Sequence, residues 1–318
     1  MMPSEAYVTC ATSDDLVKGA LVLSYTIKRF DPHRPTVVIV GPLISLKLLK
    51  ELGTLFTYVI RVNLQMTKHS QLKSLLYANP SLQKLLTKYF CWTLTSFSKC
   101  VFMNSSMMVL NYIGDAFSRP TFSSAPEISW PDLFNSGFFV YEPSVNIFNS
   151  IIDFIGKNSS PMVDDNMIMN EFFADWHHLN ITHRLPYVYN VQIDSNPTNF
   201  SALIRYERNI KAVQFGSNQH PWNYLEKNVD HDETLNKYIN MWCSAYINEV
   251  QPFVSHVLNQ EAFENKTKQD DQCAVSFEDQ LNISKMNWEQ GNIDFMGAHS
   301  FDHIQKRLDE MRLSNKKT

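Results

Sequence analysis

Short β-branched runs alternate with longer amphipathic stretches over the first hundred residues, and this alternation constrains the fold more than any other feature. The strand-like runs are 7–10, 36–40, 58–63 and 99–103, and the helix-like segments between them are 14–30, 44–52 and 81–95. Strands that alternate with helices in this way are typical of βαβ units, whose strands run parallel. The sequence therefore predicts an α/β domain with a mainly parallel sheet.

Later segments extend this domain. Residues 138–141, 185–189 and 211–215 have the composition of strands, and residues 164–176 have that of a helix. The composition changes near residue 257, where a stretch dense in Glu, Asn, Lys, Gln and Asp lacks a hydrophobic period. We therefore expect one domain over residues 1–258, a polar linker over 259–285 and a separate segment over 286–313.

The segment 286–313 carries its own amphipathic pattern. Ser300 is a favourable N-cap, and the apolar residues Phe301, Ile304, Leu308 and Met311 follow on one helical face. So short a helix cannot bury that face against itself. Two interpretations stay open: the helix, a C-terminal helical tail, docks on its own domain, or it binds a partner protein, which we favour.

Overall charge narrows the classes of partner. The 318 residues carry a formal net charge of −4, with 44% hydrophobic and 19% charged residues. Because no broad basic field is expected, nucleic acid and anionic membranes are disfavoured as main partners. No apolar run is long enough to span a membrane, and the first residues lack a basic secretory leader. The sequence predicts a cytoplasmic protein.

Several motifs carry a resemblance to a known family. They are VTCAT at 8–12, KGALVL at 18–23, LTK at 86–88, SKCVFM at 98–103, WPDLFNSGFFVY at 130–141, LPYVYN at 185–190 and PWNY at 221–224. Together they make the chain resemble, over nearly its whole length, the glycogenins, which are retaining nucleotide-sugar glycosyltransferases. The distal WEQGNIDFMG at 288–297, with Ser300 and Phe301, resembles the glycogenin segment that binds glycogen synthase. The resemblance implies that the partner-binding residues are Trp288, Phe295, Phe301, Ile304, Leu308 and Met311.

The resemblance implies a Rossmann-like nucleotide-diphospho-sugar transferase domain with a mixed, mainly parallel sheet. The family holds UDP-glucose on a manganese ion and passes glucose first to a tyrosine and then to the growing chain. Its metal ligands are an Asp-x-Asp after the Phe-Met strand and a His on a later strand. The matching positions here are Asn104, Ser106 and Gln214. Because hard carboxylate oxygens suit such a cation, these uncharged replacements predict poor metal binding. We expect no cofactor, and manganese only if activity is retained.

Other family positions divide into retained and altered ones. Lys88 matches the phosphate-contacting Lys and Asp165 the carboxylate on the sugar face of the donor, so both are candidate catalytic residues. The family's acceptor Tyr corresponds to Pro197, which has no hydroxyl. The resemblance implies a degenerate donor site, with candidate binding residues Thr12, Glu127, Asn135, Ser136, Gly137 and Asn166. Altered positions are Leu16 and Asn79 at the nucleoside end, and Ser217 and His220 at the diphosphate.

Three functional hypotheses follow. The leading one is a catalytically impaired pseudo-glycosyltransferase of glycogen biosynthesis that recruits glycogen synthase and forms a homodimer, or a heterodimer with an active glycogenin. The alternative is an active UDP-glucose-dependent glucosyltransferase that primes glycogen through metal-independent or relocated chemistry, with Asp165 in a catalytic role. A sugar-binding module built on Asn135, Ser136, Gly137 and Asp165 is the weakest of the three.

Overall fold

The computed structural model describes residues 5–62, 80–128, 131–157, 164–193, 200–216, 219–225 and 233–260. By its internal contacts the chain divides into two units, Met1–Leu258 and Asn259–Thr318. The predicted linker beyond residue 260 and the whole of the predicted segment 286–313, with its six partner-binding residues and helical tail, lie outside the described residues. The boundaries predicted there stay predictions.

A six-stranded sheet organises the first unit. Its strands are β1 (Glu5–Ala11), β2 (Thr36–Val40), β3 (Tyr58–Arg61), β4 (Lys99–Met103), β6 (Ser123–Pro126) and β7 (Phe134–Tyr141), in the order β3-β2-β1-β4-β7-β6. The β1–β2, β2–β3 and β1–β4 pairs are parallel. The β4–β7 and β6–β7 pairs are antiparallel. This arrangement confirms the predicted α/β fold with a mixed, mainly parallel sheet.

A second sheet has three strands, β5 (Met107–Val109), β8 (Val191–Ile193) and β9 (Ala212–Phe215), in the order β5-β9-β8. Gln214 on β9 is the register partner of Met107 on antiparallel β5 and of Gln192 on parallel β8. Only residues 104–106 separate β4 from β5. This short link therefore carries the chain from the large sheet to the small one.

Helices cover the sheets. They are α1 (Asp14–Phe30), α2 (Leu46–Leu55), α3 (Pro80–Tyr89), α4 (Val145–Lys157), α5 (Asp165–Phe172), α6 (Phe200–Tyr206) and α7 (Glu233–Ala245). Helix α7 continues through a π turn at Tyr246–Val250 into a helical segment at residues 251–260. The residues at the start of α1 explain why a helix begins there. The Ser13 hydroxyl accepts a hydrogen bond from the Leu16 N–H, and Asp14 and Asp15 lie in the first turn, where negative charge is favourable.

Large apolar side chains fill the space between layers. Trp92 is buried and stacks on Phe139 of β7 with ring centroids 5.4 Å apart. Phe139 in turn stacks on Phe102 of β4. Burying each such side chain stabilises the fold by roughly 1.5–3 kcal/mol. Phe102 and Phe139 are register partners, so this aromatic layer packs against β4 and β7.

Some predicted elements differ from the structure. Residues 185–189 are not a strand: Tyr187–Tyr189 form a 3₁₀ turn after Pro186, and the strand follows at Val191–Ile193. The helix predicted over 164–176 ends at Phe172 and is followed by a 3₁₀ turn, Ala174–His178. The helix predicted over 81–95 ends at Tyr89. In the described part of the chain, no helix has both the length and the apolar character needed to cross a membrane.

Candidate functional site

The link at residues 104–106 forms the floor of the candidate site. The Asn104 N–H donates to the Gly137 carbonyl (2.8 Å), which ties the link to β7, and the Phe215 N–H donates to the Ser106 carbonyl (3.0 Å), which ties it to β9. Ser105 and Ser106 are buried, and Asn104 is half-buried. The two sheets therefore meet at this link.

Helix α1 approaches the link closely at Gly19. A Cβ at this position would lie 2.3 Å from the Ser105 carbonyl oxygen and 2.7 Å from the Trp222 ring. Such distances leave no space for a side chain. The glycine in the motif at 18–23 thus allows the helix to pack against the link.

Gln214 projects from β9 into the same junction. Its Oε1 atom is buried and has no hydrogen-bond partner among the described residues. That atom lies against Gly137, where a Cβ would be only 2.0 Å away. Since Ser106 is bonded to the neighbour of Gln214 and Asn104 to Gly137, the structure brings the three predicted metal positions together. They present an amide, a hydroxyl and an amide.

Lys88 at the end of α3 is the second part of the site. The side chain is buried, and its ammonium group donates to the Ser136 carbonyl (2.7 Å) and to an Asp165 carboxylate oxygen. The ammonium also lies 4.9 Å from the centre of the Phe102 ring and 5.4 Å from that of Phe139. The charge is therefore compensated by Asp165 and stabilised by two aromatic faces.

Asp165, the first residue of α5, accepts further hydrogen bonds. Its Oδ2 atom also accepts from the Ser136 hydroxyl (2.8 Å), and its Oδ1 atom accepts from the Tyr89 hydroxyl (3.0 Å). Burial, reinforced by the Asp165 charge, raises the pKa of Tyr89 well above its usual value, so this hydroxyl stays a donor. Sequence reasoning missed Tyr89, whose only signal is its place beside Lys88.

Asn135 and Glu127 form a connected amide and carboxylate network. The Asn135 amide donates to Glu127 Oε2 (2.7 Å), and its Oδ1 atom accepts from the Gly137 N–H and from the Asn190 amide (both 2.8 Å). The Gln192 amide donates to Glu127 Oε1 (2.5 Å). Asn190 belongs to the motif at 185–190, but neither its role nor that of Gln192 was predicted. The segment leading into β8 and β8 itself thus each contribute a side-chain amide to this network.

Helix α5 holds the start of β7 through side chains. Asn166 Oδ1 accepts from the Ser136 N–H (2.7 Å). Asn170, also not predicted, accepts from the Phe134 N–H (3.0 Å) and donates to the Phe134 carbonyl (2.9 Å). These residues of β7 precede Phe138, the register partner of the last residue of β4. The helix side chains therefore bond backbone groups that lie beyond the end of β4.

The remaining predicted positions lie around this centre. Thr12 directly follows β1 and packs beside Gly41, and Leu16 is half-buried on α1. The His220 ring stacks on Trp222 with centroids 4.3 Å apart, its Nδ1 atom is buried without a described partner, and burial lowers its pKa. Asn79, Pro197 and Ser217 lie outside the described residues.

Few of the side chains in the candidate site are charged. Lys88 is compensated by Asp165, and Glu127 receives two amide donors. Across the described residues, no group of three or more His, Cys, Asp or Glu side chains is arranged to hold a metal ion. The site thus contains the Lys88–Asp165 ion pair, the Glu127 carboxylate and a set of uncharged hydrogen-bonding groups.

Known proteins resemble the chain in sequence and in structure. No protein-family profile matches it. It is 34% identical to glycogenin-1 of Mus musculus over 335 residues, covering 97% of this chain and 99% of that protein. It is 35% identical to glycogenin-1 of Oryctolagus cuniculus over 330 residues, with the same coverage of both chains.

Solved structures agree on the fold. The apo-form glycosyltransferase GlyE of Streptococcus pneumoniae TIGR4 superposes with a TM-score of 0.56 at 14% identity, covering 81% of this chain and 64% of that one. The galactosyltransferase LgtC superposes with a TM-score of 0.52 at 9% identity, covering 76% and 95%. With full-length sequence similarity to two mammalian glycogenins and this fold, the chain belongs to the glycogenin family.

Proposed function

We propose that this chain is a catalytically impaired member of the glycogenin family. In this proposal it acts in the cytoplasm in glycogen biosynthesis, recruits glycogen synthase through residues 286–313, and pairs with a second copy or with an active glycogenin. No nucleic acid or membrane partner is proposed. The observation that carries the impairment is the presence of Asn104, Ser106 and Gln214 at the junction of the two sheets.

The chemistry of these three side chains does not fit manganese. A divalent cation that neutralises a diphosphate leaving group is held by hard, charged oxygen ligands, with imidazole as a further option. Here all three groups are uncharged, and Gln214 directs its oxygen against Gly137. Loss of even a partner behind the ligands costs about 10- to 100-fold in metal affinity, and loss of two carboxylates costs more. These three side chains therefore do not make a manganese site of the family's kind.

The contacts of Lys88 also support the proposal. A lysine that stabilises a phosphate presents its ammonium hydrogens to phosphate oxygens. In this structure the Lys88 ammonium donates to Ser136 and Asp165 and lies over two aromatic rings. Two of the three ammonium hydrogens are therefore already engaged by protein acceptors, which leaves at most one for a phosphate.

An active enzyme is the second candidate, and the Lys88, Asp165 and Ser136 arrangement favours it because the group is fully assembled. However, both Asp165 oxygens already accept hydrogen bonds from protein donors. Of the four lone pairs of the carboxylate, three accept from Lys88, Ser136 and Tyr89, which leaves one on Oδ1 for a substrate. Pro197 adds a second obstacle, because the matching acceptor hydroxyl is missing.

Self-glucosylation is the direct test. Purified protein is incubated with UDP-[¹⁴C]glucose and manganese, beside an active glycogenin as a positive control. We expect no label on this chain. Incorporation that mass spectrometry maps to a tyrosine would show an active transferase and overturn the impairment.

Recruitment is tested separately, by pull-down of purified glycogen synthase. The double variant Ile304→Asp with Leu308→Asp should lose binding, because it places two charges on the apolar face on which the partner site depends. The control, His303→Asp with Gln305→Asp, changes the charge similarly but leaves the four apolar residues intact, and should retain binding. Capture of synthase by the Ile304 and Leu308 variant at the wild-type level, or failure of the wild type to capture it, would refute recruitment.

A further inference from the structure

Two leucines at the entry to helix α2 are exposed to solvent. Leu43 is 83% exposed and Leu46 is 69% exposed. We propose that the surface formed by Leu43, Leu46, Lys47, Lys50 and Arg61, here called the α2-entry surface, binds an acidic segment of another protein in which large apolar side chains lie among carboxylates. This inference is independent of whether the chain transfers a sugar.

A fixed turn presents Leu43 to solvent. The Ile44 N–H donates to the Gly41 carbonyl (3.4 Å), which closes a turn with Pro42 at its second position. The Gly41 N–H donates to the Ala11 carbonyl (3.0 Å), and this bond joins the turn to the end of β1. Ile44 is buried and takes the interior position of the turn. The exposure of Leu43 is therefore a consequence of the fold around it.

Helix geometry presents Leu46 together with two lysines. The Ser45 hydroxyl accepts from the Leu48 N–H (3.4 Å), so α2 begins at Leu46. The buried residues of the helix are Leu49, Leu52 and Leu55. At 3.6 residues per turn, Leu46, Lys47 and Lys50 fall within about 100° of one another around the helix axis, on the face turned away from those buried leucines. Apolar and cationic side chains thus share one exposed face.

Three cations border the leucines. Lys47 and Lys50 are exposed on α2. Arg61, at the end of β3, is also exposed and donates from its guanidinium to the carbonyl of Pro42 (2.5 Å), the residue before Leu43. Within the described parts of the chain, none of these three cations forms an ion pair. Other surface cations do have a carboxylate partner, namely Lys18, Arg184, Lys211 and Lys237.

The acidic side chains of the two adjoining helices do not cancel this charge. Glu51 is the carboxylate of α2 and is half-buried. Helix α1 carries Asp14 and Asp15 in its first turn, and Asp15 already pairs with Lys18. The three cations therefore face Glu51 and Asp14, and the balance stays positive on a chain whose formal net charge is −4. A local positive excess on an acidic protein favours an acidic partner.

The leucines and the cations together select a polypeptide partner. Removal of exposed leucine side chains from water favours association, and a partner must bring apolar side chains to achieve it. Carboxylates of the partner form charge-assisted hydrogen bonds with lysine and arginine. Because the turn holds Leu43 in place before binding, little ordering of this side of the interface is needed. An acidic segment with large apolar residues meets all of these requirements.

An anionic bilayer fits the same surface less well. Helices that lie on bilayers combine basic residues with a wide apolar face, whereas the apolar part of this surface is two leucines. The net charge of −4 also repels an anionic membrane as the chain approaches it. The observations therefore favour a protein segment over a membrane.

The experiment measures binding of the full-length chain to the fluorescein-labelled peptide EEFEELLEE by fluorescence anisotropy. Two control peptides separate the requirements: EESEESSEE lacks the apolar side chains, and KKFKKLLKK reverses the charge. We expect a Kd of roughly 100 μM or tighter for EEFEELLEE in about 50 mM NaCl, weaker binding in about 500 mM NaCl, and at least about tenfold weaker binding of both controls. No binding of EEFEELLEE at about 500 μM protein, or equal binding of EESEESSEE, would overturn the proposal.

Two charge variants assign the site. Lys47→Glu with Lys50→Glu should weaken binding of EEFEELLEE at least about tenfold, because it replaces two attractive charges by repulsive ones. Arg205→Glu with Arg208→Glu makes the same change of charge at exposed positions in and after α6, and should bind as the wild type does. Equal binding by the lysine variant and this control would show that the peptide binds elsewhere and would refute the assignment.

The leucines are tested in the same way. Leu43→Ser with Leu46→Ser should also weaken binding at least about tenfold. Ile181→Ser, at a position that is 73% exposed on another part of the domain, is the control and should leave binding unchanged. Wild-type affinity of the leucine variant would contradict the proposal. If the leucine variant fails to fold by circular dichroism, the lysine variant and the EESEESSEE peptide decide.

Cosedimentation with vesicles of phosphatidylcholine and phosphatidylserine tests the membrane alternative. We expect the wild-type chain to stay in the supernatant. Sedimentation that Lys47→Glu with Lys50→Glu abolishes would assign the α2-entry surface to a membrane and overturn the proposal of a protein partner.

Discussion

The Lys88 ammonium and the Asp165 carboxylate, 77 residues apart in sequence, form a salt bridge between α3 and α5. The side chain of Lys88 is 5% exposed and that of Asp165 is 27% exposed. Because Ser136 and Tyr89 bond the same carboxylate, the pair joins two helices to the sheet. The Lys88–Asp165 ion pair therefore stabilises the fold and also forms part of the candidate site.

Replacement of Lys88 by Met should destabilise the fold. It leaves the Asp165 carboxylate without its cation, and we expect the free energy of unfolding to fall by about 2–3 kcal/mol, below the full cost of a buried unpaired charge because Asp165 is partly exposed. Urea denaturation measures this. Lys18→Met, which removes an exposed pair with Asp15, is the control and should cost less than about 1 kcal/mol. Equal losses in the two variants would show that burial of Lys88 has no energetic consequence.

Gly137→Ala should be poorly tolerated. The added Cβ would meet Gln214 Oε1 at 2.0 Å and Asn135 Oδ1 at 2.8 Å, so we expect a loss of about 1–3 kcal/mol. Combining it with Gln214→Ala should restore part of this loss, which a double-mutant cycle measures. Gly53→Ala is the control, because a Cβ at this position, inside helix α2, would have no neighbouring atom within 4 Å. That change should stabilise the protein by about 0.5–1 kcal/mol.

Asn170→Ala should weaken the attachment of β7 to α5. The substitution leaves the buried Phe134 N–H and carbonyl without the partners they have now, at an expected cost of about 2–3 kcal/mol. Asn248→Ala on the last helix, where an exposed amide bonds Ser244, should change stability by no more than about 0.5 kcal/mol. Comparison of the two denaturation midpoints checks this prediction. A midpoint for Asn170→Ala equal to that of the wild type would show that water replaces both bonds.

His220 should make stability depend on pH. Burial lowers its pKa in the folded protein, whereas the unfolded chain has the ordinary value of about 6.5. The unfolded state therefore binds the proton more readily, so this contribution to stability is complete above about pH 6.5 and is lost as the pH falls below it. His220→Phe keeps the ring stacked on Trp222 and should flatten the dependence of unfolding free energy between about pH 7 and pH 5. Asn248→Ala, which removes no titratable group, is the control and should leave the wild-type slope.

Restoring the family ligands should restore a cation site. The triple variant Asn104→Asp, Ser106→Asp and Gln214→His returns two carboxylates and an imidazole to positions that the structure already brings together. We expect a manganese-dependent gain in UDP binding of at least about tenfold, measured by calorimetry. The control is Asn248→Asp with Ser244→Asp, which adds two carboxylates on the last helix. No gain over the wild type would mean that the site has changed beyond these ligands.

The sequence predicts elements well where a local pattern is complete. Helix α1 begins after Ser13, a favourable N-cap, and strand β4 has the predicted bounds. Strands β5 and β8 were missed because three residues are too few to show alternation. The strand predicted over 185–189 was wrong because the apolar, aromatic composition of this segment suits a strand, whereas Pro186 starts a turn there.

The site was predicted through resemblance, and its supporting contacts were not. Motif matches placed Asn104 and Gln214 in one site although they are far apart in sequence, and the structure brings them together. Asn170 gave no signal, and Tyr89 gave none beyond its place beside Lys88, because their contacts, to Phe134 and Asp165, depend on packing between distant segments. A side chain that completes a network shows its role only after the fold has assembled that network.

The Lys88–Asp165 ion pair also limits which residues of such a protein can be replaced during evolution. A lineage that no longer depends on sugar transfer is free to lose groups whose only contribution is turnover, such as the ligands replaced here by Asn104 and Gln214. It is not free to lose Lys88 or Asp165, because removal of either leaves the other poorly compensated between two helices. Selection for folding alone is enough to retain this pair, so its survival in a sequence does not by itself show that the protein still transfers a sugar.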